Sequence, residues 1–125
     1  MATASDPRRV LIVDDNRDAA DSLALLVRAM GHEVRVAYDG ASAVEAARRL
    51  RPHVVFLDVV MPGMDGYEVA RALRLDPQLR EVRIVGLTGF GQDEDRERSR
   101  QAGIDQHLVK PIDPQFLQSL LGRKR

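Results

Sequence analysis

The chain contains no cysteine and no tryptophan, and only 4% of its residues are aromatic. Without thiols, disulfides and thiolate metal sites are excluded, and a reducing, cytoplasmic location is expected. No apolar run approaches the length of a membrane span, and residues 1–9 lack a signal-peptide hydrophobic stretch. Net charge is also missing. Nineteen basic residues balance 19 acidic ones, which removes the electrostatic case for nucleic acid or a membrane surface as partner. Lysine is almost absent: the basic residues are arginine except for Lys110 and Lys124. A lysine kept at position 110 by a chain that otherwise uses arginine fits a need for a compact, flexible point charge there, with chance as the bland alternative.

What remains is 125 residues, 44% hydrophobic and 30% charged, enough for one domain with a proper core. Residues 1–8 (MATASDPR) read as a flexible polar tail, 9–122 as the domain and 123–125 (RKR) as a short basic tail. Within the domain, short apolar runs alternate with helical patterns. Val10-Leu11-Ile12-Val13, Val54-Val55-Phe56-Leu57, residues 82–87 and residues 104–109 read as buried strands, and the alternating residues 33–37 as a shorter strand at an edge. Helical stripes run over 16–30, 40–50 and 66–75, and from Pro114 onward behind an Asp113 N-cap, while 92–102 is helical by exclusion. The stretch 92–102 has almost no apolar face, and Ala102 is its best contact candidate. Five strand–helix units imply a parallel sheet covered on both faces, with all strand C-termini at one edge. Ligands bind at that edge in such sheets.

Four of the five strands end in residues suited to phosphoryl or metal chemistry. Asp14 and Asp15 close the first, Asp58 the third, Thr88 the fourth and Lys110 the fifth. Three carboxylates crowded together call for a hard divalent cation, a cationic side chain or a raised pKa. Simpler readings exist for each: Asp14 and Asp15 as helix caps, Asp58 as a solvated strand-end acid, Thr88 as a loop threonine, Lys110 as a solvated cation. His32 and His53 are expected at the surface, and with His107 they lack metal-ligand spacing.

Val10-Leu11-Ile12-Val13-Asp14-Asp15-Asn16, the run from Phe56 to Gly66 (FLDVVMPGMDG), Leu87-Thr88-Gly89 and Lys110-Pro111 together resemble the receiver domains of two-component response regulators. The resemblance spans residues 9 to about 122, and residues 103–111 are similar to receivers attached to hybrid sensor kinases. It implies a flavodoxin-like (βα)5 three-layer sandwich with a parallel five-stranded sheet in the order 2-1-3-4-5. It further implies that Asp58 is the phosphoacceptor for a histidine kinase or a His-containing phosphotransfer protein. Mg²⁺, or Mn²⁺ in its place, would be held by Asp15, Asp58 and the backbone carbonyl of Val60, with Asp14 acting mostly through water. Thr88 and Lys110 would contact the phosphoryl oxygens, and the Lys110-Pro111 bond matches a position that is often cis in the family. His107 stands where the family carries an aromatic switch residue. Val60 and Phe90 match two variable positions that tune dephosphorylation, and both being apolar implies slow loss of the phosphoryl group.

On the same resemblance, the output is a changed surface of the fourth helix, fifth strand and fifth helix, read by a downstream protein or by a phosphorylation-dependent dimer. The domain would be a switch and not an enzyme with an external product. A free-standing regulator and a segment of a hybrid kinase both remain open, with Met1 favouring the former. The rival classes fit less well. A phosphatase resembling haloacid dehalogenases needs an aspartate two residues after its nucleophile, where this chain has Val60 or Asn16. A nucleotide or flavin binder needs a Gly- or Ser/Thr-rich loop where Asp14-Asp15-Asn16 stands. A degenerate scaffold would not need the complete residue set.

Overall fold

Strands β1 (Arg9–Val13), β2 (Glu33–Ala37), β3 (Val54–Asp58), β4 (Arg83–Thr88) and β5 (Gln106–Val109) form one parallel sheet in the order β2-β1-β3-β4-β5. The structure is a computed structural model and describes residues 7–61, 63–89 and 96–122. Helices α1 (Arg17–Ala29), α2 (Gly40–Leu50), α3 (Gly66–Leu75) and α4 (Arg96–Ala102) supply the crossovers, and α5 (Pro114–Gly122) follows the last strand. This is the expected flavodoxin-like sandwich. The continuous apolar runs are explained by burial on both faces: Leu11, Val13, Val55 and Leu57 point to one side, and Val10, Ile12, Val54 and Phe56 to the other.

The first side is covered by α2, α3 and α4 through Ala43, Ala47, Val69, Leu73 and Ala102. The second is covered by α1 and α5 through Ala20, Ala24, Val27, Leu117 and Leu121. Each fully buried aliphatic side chain contributes roughly 1.5–3 kcal/mol of transfer free energy, so the two cores hold the sheet edge rigidly in place. Strand β2 is an outer strand, as its short alternating pattern indicated.

Element boundaries differ from the sequence reading by one or two residues, chiefly in the last two strands. The fourth strand starts one residue later and includes Thr88, and the fifth starts at Gln106. The later start follows from Asp105, whose carboxylate accepts the Ile84 N–H at 2.7 Å and binds the Arg74 guanidinium at 3.0 Å. Arg74 also donates to the carbonyls of Arg80, Val82 and Gly103, tying the α3–β4 connection to the end of α4. Helix α4 is described from Arg96; residues 92–95 of the expected helix lie outside the described residues, as do 1–6 and 123–125 of the expected tails. Alongside Ala102, α4 buries Ser99, a polar residue that belongs to no apolar face.

Arg8 also departs from the expected tail. Its backbone N–H donates to Nδ1 of His32 at 3.0 Å, and its Nε donates to the Leu121 carbonyl at 2.9 Å. The next residue repeats the device, with the Arg9 N–H donating to Nδ1 of His53 at 3.0 Å. Burial, and then the nearby Arg8 charge, lower the pKa of His32; burial, then Arg9 and Arg8, do the same for His53. Both rings must be neutral to accept these bonds. The unfolded chain therefore binds more protons just below the ordinary histidine pKa of 6.5, and the stabilisation is complete above that value and lost as pH falls. Exchanging both rings for asparagine, which accepts without titrating, is expected to flatten this acid-side loss. Urea unfolding at about pH 7.5 and about pH 5.5 would show the parent's advantage over His32→Asn/His53→Asn shrinking with acidification; a constant difference would count against the assignment.

Candidate functional site

Parallel register brings the strand ends together. Val13 of β1 pairs with Leu57 of β3, Asp58 with Leu87 of β4, and Thr88 with Val109 of β5. Asp14, Asp58, Thr88 and Lys110 thus stand on successive strands of one edge, although they are far apart in the chain. Asp14, Asp58 and Thr88 are buried, and Asp15 beside them is exposed.

Asp14 and Asp15 are not helix caps. The N-cap of α1 is Asn16, whose side chain accepts the Ala19 N–H at 3.0 Å. Asp14 is left free to accept from the Asn16 backbone N–H at 3.0 Å and from Lys110 Nζ at 2.9 Å. Lys110 lies 3.7 Å from the Asp58 carboxylate as well, so its one charge serves two acids. The Val60 N–H donates to Asp58 Oδ1 at 3.0 Å, fixing the carboxylate against the turn that follows. That turn is tight. A Cβ on Gly66 would fall 2.5 Å from Val59 Cα and 2.6 Å from the Asp58 carbonyl oxygen, so only glycine lets the start of α3 approach the strand end this closely. In the sequence Gly66 reads as the start of the 66–75 helical stripe; its role in packing the Asp58 turn becomes visible only in three dimensions.

The carboxylates of Asp14, Asp15 and Asp58 each offer an oxygen within 4.8 Å of the others. Burial first, and then the hydrogen bond that protonated Asp58 donates to Asp14, push the pKa of Asp58 up to about 7, against the opposing pull of the Val60 N–H and Lys110. Burial alone would lower Lys110, but its hydrogen bond with Asp14 and the charges of Asp58, Asp14 and Asp15 raise it. An all-oxygen, acidic set whose charge one lysine does not relieve fits a hard divalent cation such as Mg²⁺.

The other expected residues stand as follows. The Thr88 hydroxyl points to the Leu108 carbonyl at 3.5 Å, the limit of a hydrogen bond. The Lys110-Pro111 bond is cis. Val60 is 55% exposed and flanks the mouth of the site; Phe90 lies outside the described residues. His107 is half-buried over Gly86, away from the carboxylates, and shares a 2.9 Å hydrogen bond with Ser99 of α4. Beside Asp14 and Lys110, a cavity of about 470 Å³ runs between α1 and the loop before α5, floored by Leu23, Leu26, Pro111 and Ile112.

A raised Asp58 pKa makes a prediction for the metal-free protein. The folded state holds a proton that the unfolded chain has released, so this contribution is fully present below the ordinary carboxylate range and lost as pH rises through about 7. Asp58→Asn mimics the protonated acid. Without divalent cations it is expected to stabilise the fold at about pH 8 by on the order of 2 kcal/mol and to change little near pH 5. Urea titrations at the two pH values test this, and equal effects at both would contradict it.

Comparison with known proteins agrees with this geometry. A family model described as the response regulator receiver domain matches residues 10–121. The polar-differentiation response regulator DivK of Brucella anthropi is 33% identical over 115 residues, covering 91% of this chain and 94% of that protein. The DNA-binding response regulator MtrA of Mycolicibacterium paratuberculosis is 38% identical over 110 residues, covering 88% of this chain but only 48% of its own length. Among solved structures, the chemotaxis protein CheY4 of Vibrio cholerae matches with a TM-score of 0.85 at 32% identity, covering 93% of this chain and 97% of that one. The receiver domain of the sensor histidine kinase PA1611 of Pseudomonas aeruginosa, solved with a magnesium ion coordinated in its active-site cleft, matches with a TM-score of 0.83 at 33% identity, covering 93% and 95%.

Proposed function

Given that this chain belongs to the response regulator receiver family of two-component signalling, we propose that it accepts a phosphoryl group on Asp58 in a Mg²⁺-dependent reaction. The observation that carries the proposal is the packing of Asp14, Asp15 and Asp58 into one acidic cluster with Lys110 reaching two of the three. In the transfer, an Asp58 carboxylate oxygen attacks the phosphorus of a phosphohistidine. The P–N bond breaks, and its electron pair leaves with the imidazole of the donor. Asp58 must be ionised to attack, so the low-pH limit of the reaction is set by the same proton that relieves the metal-free site.

Asp14, Asp15, Asp58 and the Val60 carbonyl would hold Mg²⁺, which when bound supplies positive charge to the phosphoryl oxygens. The chain's own residues do the rest. The Val60 N–H orients the Asp58 carboxylate, and Lys110 is in place to move from Asp14 toward a phosphoryl oxygen. The Thr88 hydroxyl, held only weakly by Leu108, is free to turn to another. Positioning and charge stabilisation account for most of the rate in such transfers.

The partner is a histidine kinase or a His-containing phosphotransfer protein. The apolar groove of Leu23, Leu26 and Ile112 beside the site suits a helix of that donor, because it would bring the phosphohistidine over Asp58. The output is the surface of α4, β5 and α5, read by a downstream protein or a second copy. Helix α4 is short and attached mainly by polar contacts, so its position is cheap to change. Among the described residues no helix is long and apolar enough to cross a membrane, in keeping with a cytoplasmic setting.

Intact mass after incubation with acetyl phosphate and Mg²⁺ tests the proposal directly. One base-labile phosphoryl adduct is expected, absent from Asp58→Asn and from a metal-free sample; steady consumption of the donor without an adduct would replace the proposal with a phosphatase. The exposed Val60 side chain, with Phe90, would keep attacking water off the phosphoryl group. Val60→Asn with Phe90→Glu is expected to shorten the lifetime of the adduct by roughly tenfold, about 1.4 kcal/mol in barrier. An unchanged decay rate would dismiss the shielding role.

A further inference from the structure

At the N-terminal edge of the sheet, about 16 Å along β3 from Asp58, lies a second cavity of about 530 Å³. It is rimmed by Arg8, Arg9, Arg51 and Arg83 with His53, and Glu81 is the one carboxylate that lines it. Among the described residues Arg48, Arg49, Arg74, Arg98 and Arg100 each pair with a carboxylate. None of the four rim arginines does, although the chain has as many acids as bases. Even Glu33, opposite Arg9 in the strand register, makes no ion pair with it.

The rim is also prearranged. Arg8 Nε is fixed on the Leu121 carbonyl, and Arg9 Nε on the carbonyls of Leu50 and Arg51, so their forked Nη groups stay available. Arg51 has φ 53°, a left-handed conformation that a glycine would occupy without strain. An arginine at that position keeps a fourth charge on the rim despite the backbone strain. Beneath the charges, Pro52, Val82 and Leu120 give an apolar floor. A volume of this size falls within the roughly 300–1,000 Å³ typical of small-molecule sites.

We propose that this cavity binds a soluble organic phosphate, its phosphate groups on the guanidiniums of Arg8, Arg9, Arg51 and Arg83 and its ring or apolar body on Pro52 and Val82. Guanidinium forks match phosphate oxygens two at a time, and fixed arginines lose little freedom on binding. The site is separate from the acidic edge, so occupancy would not compete with a phosphodonor, and the proposal stands independently of the role given to Asp58.

The test is an amide NMR titration of the full chain with ADP and, separately, pyrophosphate, without divalent cations and at about 50 mM salt. Saturable shifts are expected at Arg51, His53, Val82 and Arg83, with ADP the tighter ligand. Arg51→Gly/Arg83→Gln, which relaxes one backbone strain and leaves both arginine caps in place, is expected to weaken ADP binding at least about tenfold. Its unfolding midpoint should be no lower than the parent's, and its labelling at Asp58 by acetyl phosphate with Mg²⁺ should match the parent. Several results would overturn the proposal: shifts that do not saturate by about 10 mM, shifts at the Asp58 edge alone, or ADP binding undiminished in the double variant. Co-flotation with anionic lipid vesicles that the double variant loses, without ADP binding, would assign the cavity to a lipid headgroup instead. Polyglutamate binding as tightly as ADP would assign it to an acidic protein segment.

Discussion

Two carboxylates brought side by side in a desolvated sheet edge do not both ionise without a cation between them, and the architecture of this chain is organised around that conflict. Asp14 is pinned between the Asn16 N–H and Lys110. Asp58 is pinned by the Val60 N–H and raised in pKa by burial and by Asp14. Neither position is a choice of the side chain. Both follow from adjacent parallel strands of equal length, whose ends coincide because two apolar cores hold β1 and β3 in register. The fold supplies a standing electrostatic tension, and cation, proton and phosphoryl chemistry are the ways of relieving it.

The two flanks of the site differ in mechanical character. Helix α1 starts two residues after Asp15, is capped by Asn16 and buries Ala20, Ala24 and Val27, so the groove beside it moves as one body with the aspartates. Helix α4 buries only Ser99 and Ala102 among its described residues. It is held from outside by Arg98, which bonds Asp65 at 3.2 Å and lies over the Tyr67 ring, and from beneath by the Ser99–His107 hydrogen bond. A rigid flank suits recognition of a donor, and a lightly attached one suits a change of surface.

Much of this was legible in the residues. Unbroken runs such as Val10 to Val13 state burial on two faces, and strand-end Asp14, Asp58, Thr88 and Lys110 are gathered by parallel topology alone. The Asp113 cap and the Pro114 start of the last helix were equally plain. What escaped has a common physical origin: it depends on partners distant in sequence. Ser99 looks like a solvated helix residue until β5 brings His107 to it, and Arg74 looks like surface charge until two connections bring it three carbonyls. Arg8 reads as tail until His32 and Leu121 hold it. The capping alternative for Asp14 and Asp15 was undecidable from composition, because Asn16 performs that duty with the same chemistry.

A net charge of zero conceals a strongly uneven distribution. Carboxylates gather where the strands end, and guanidiniums that make no ion pair among the described residues gather where they begin. These two clusters give the molecule a dipole component along its strands. It experiences little net force from a distant charged surface but a turning couple as it draws near. Approaching a positively charged partner it arrives with its reactive edge foremost, so orientation is selected before any contact is made, and added salt slows productive encounters without changing the affinity of each docked pair to the same degree.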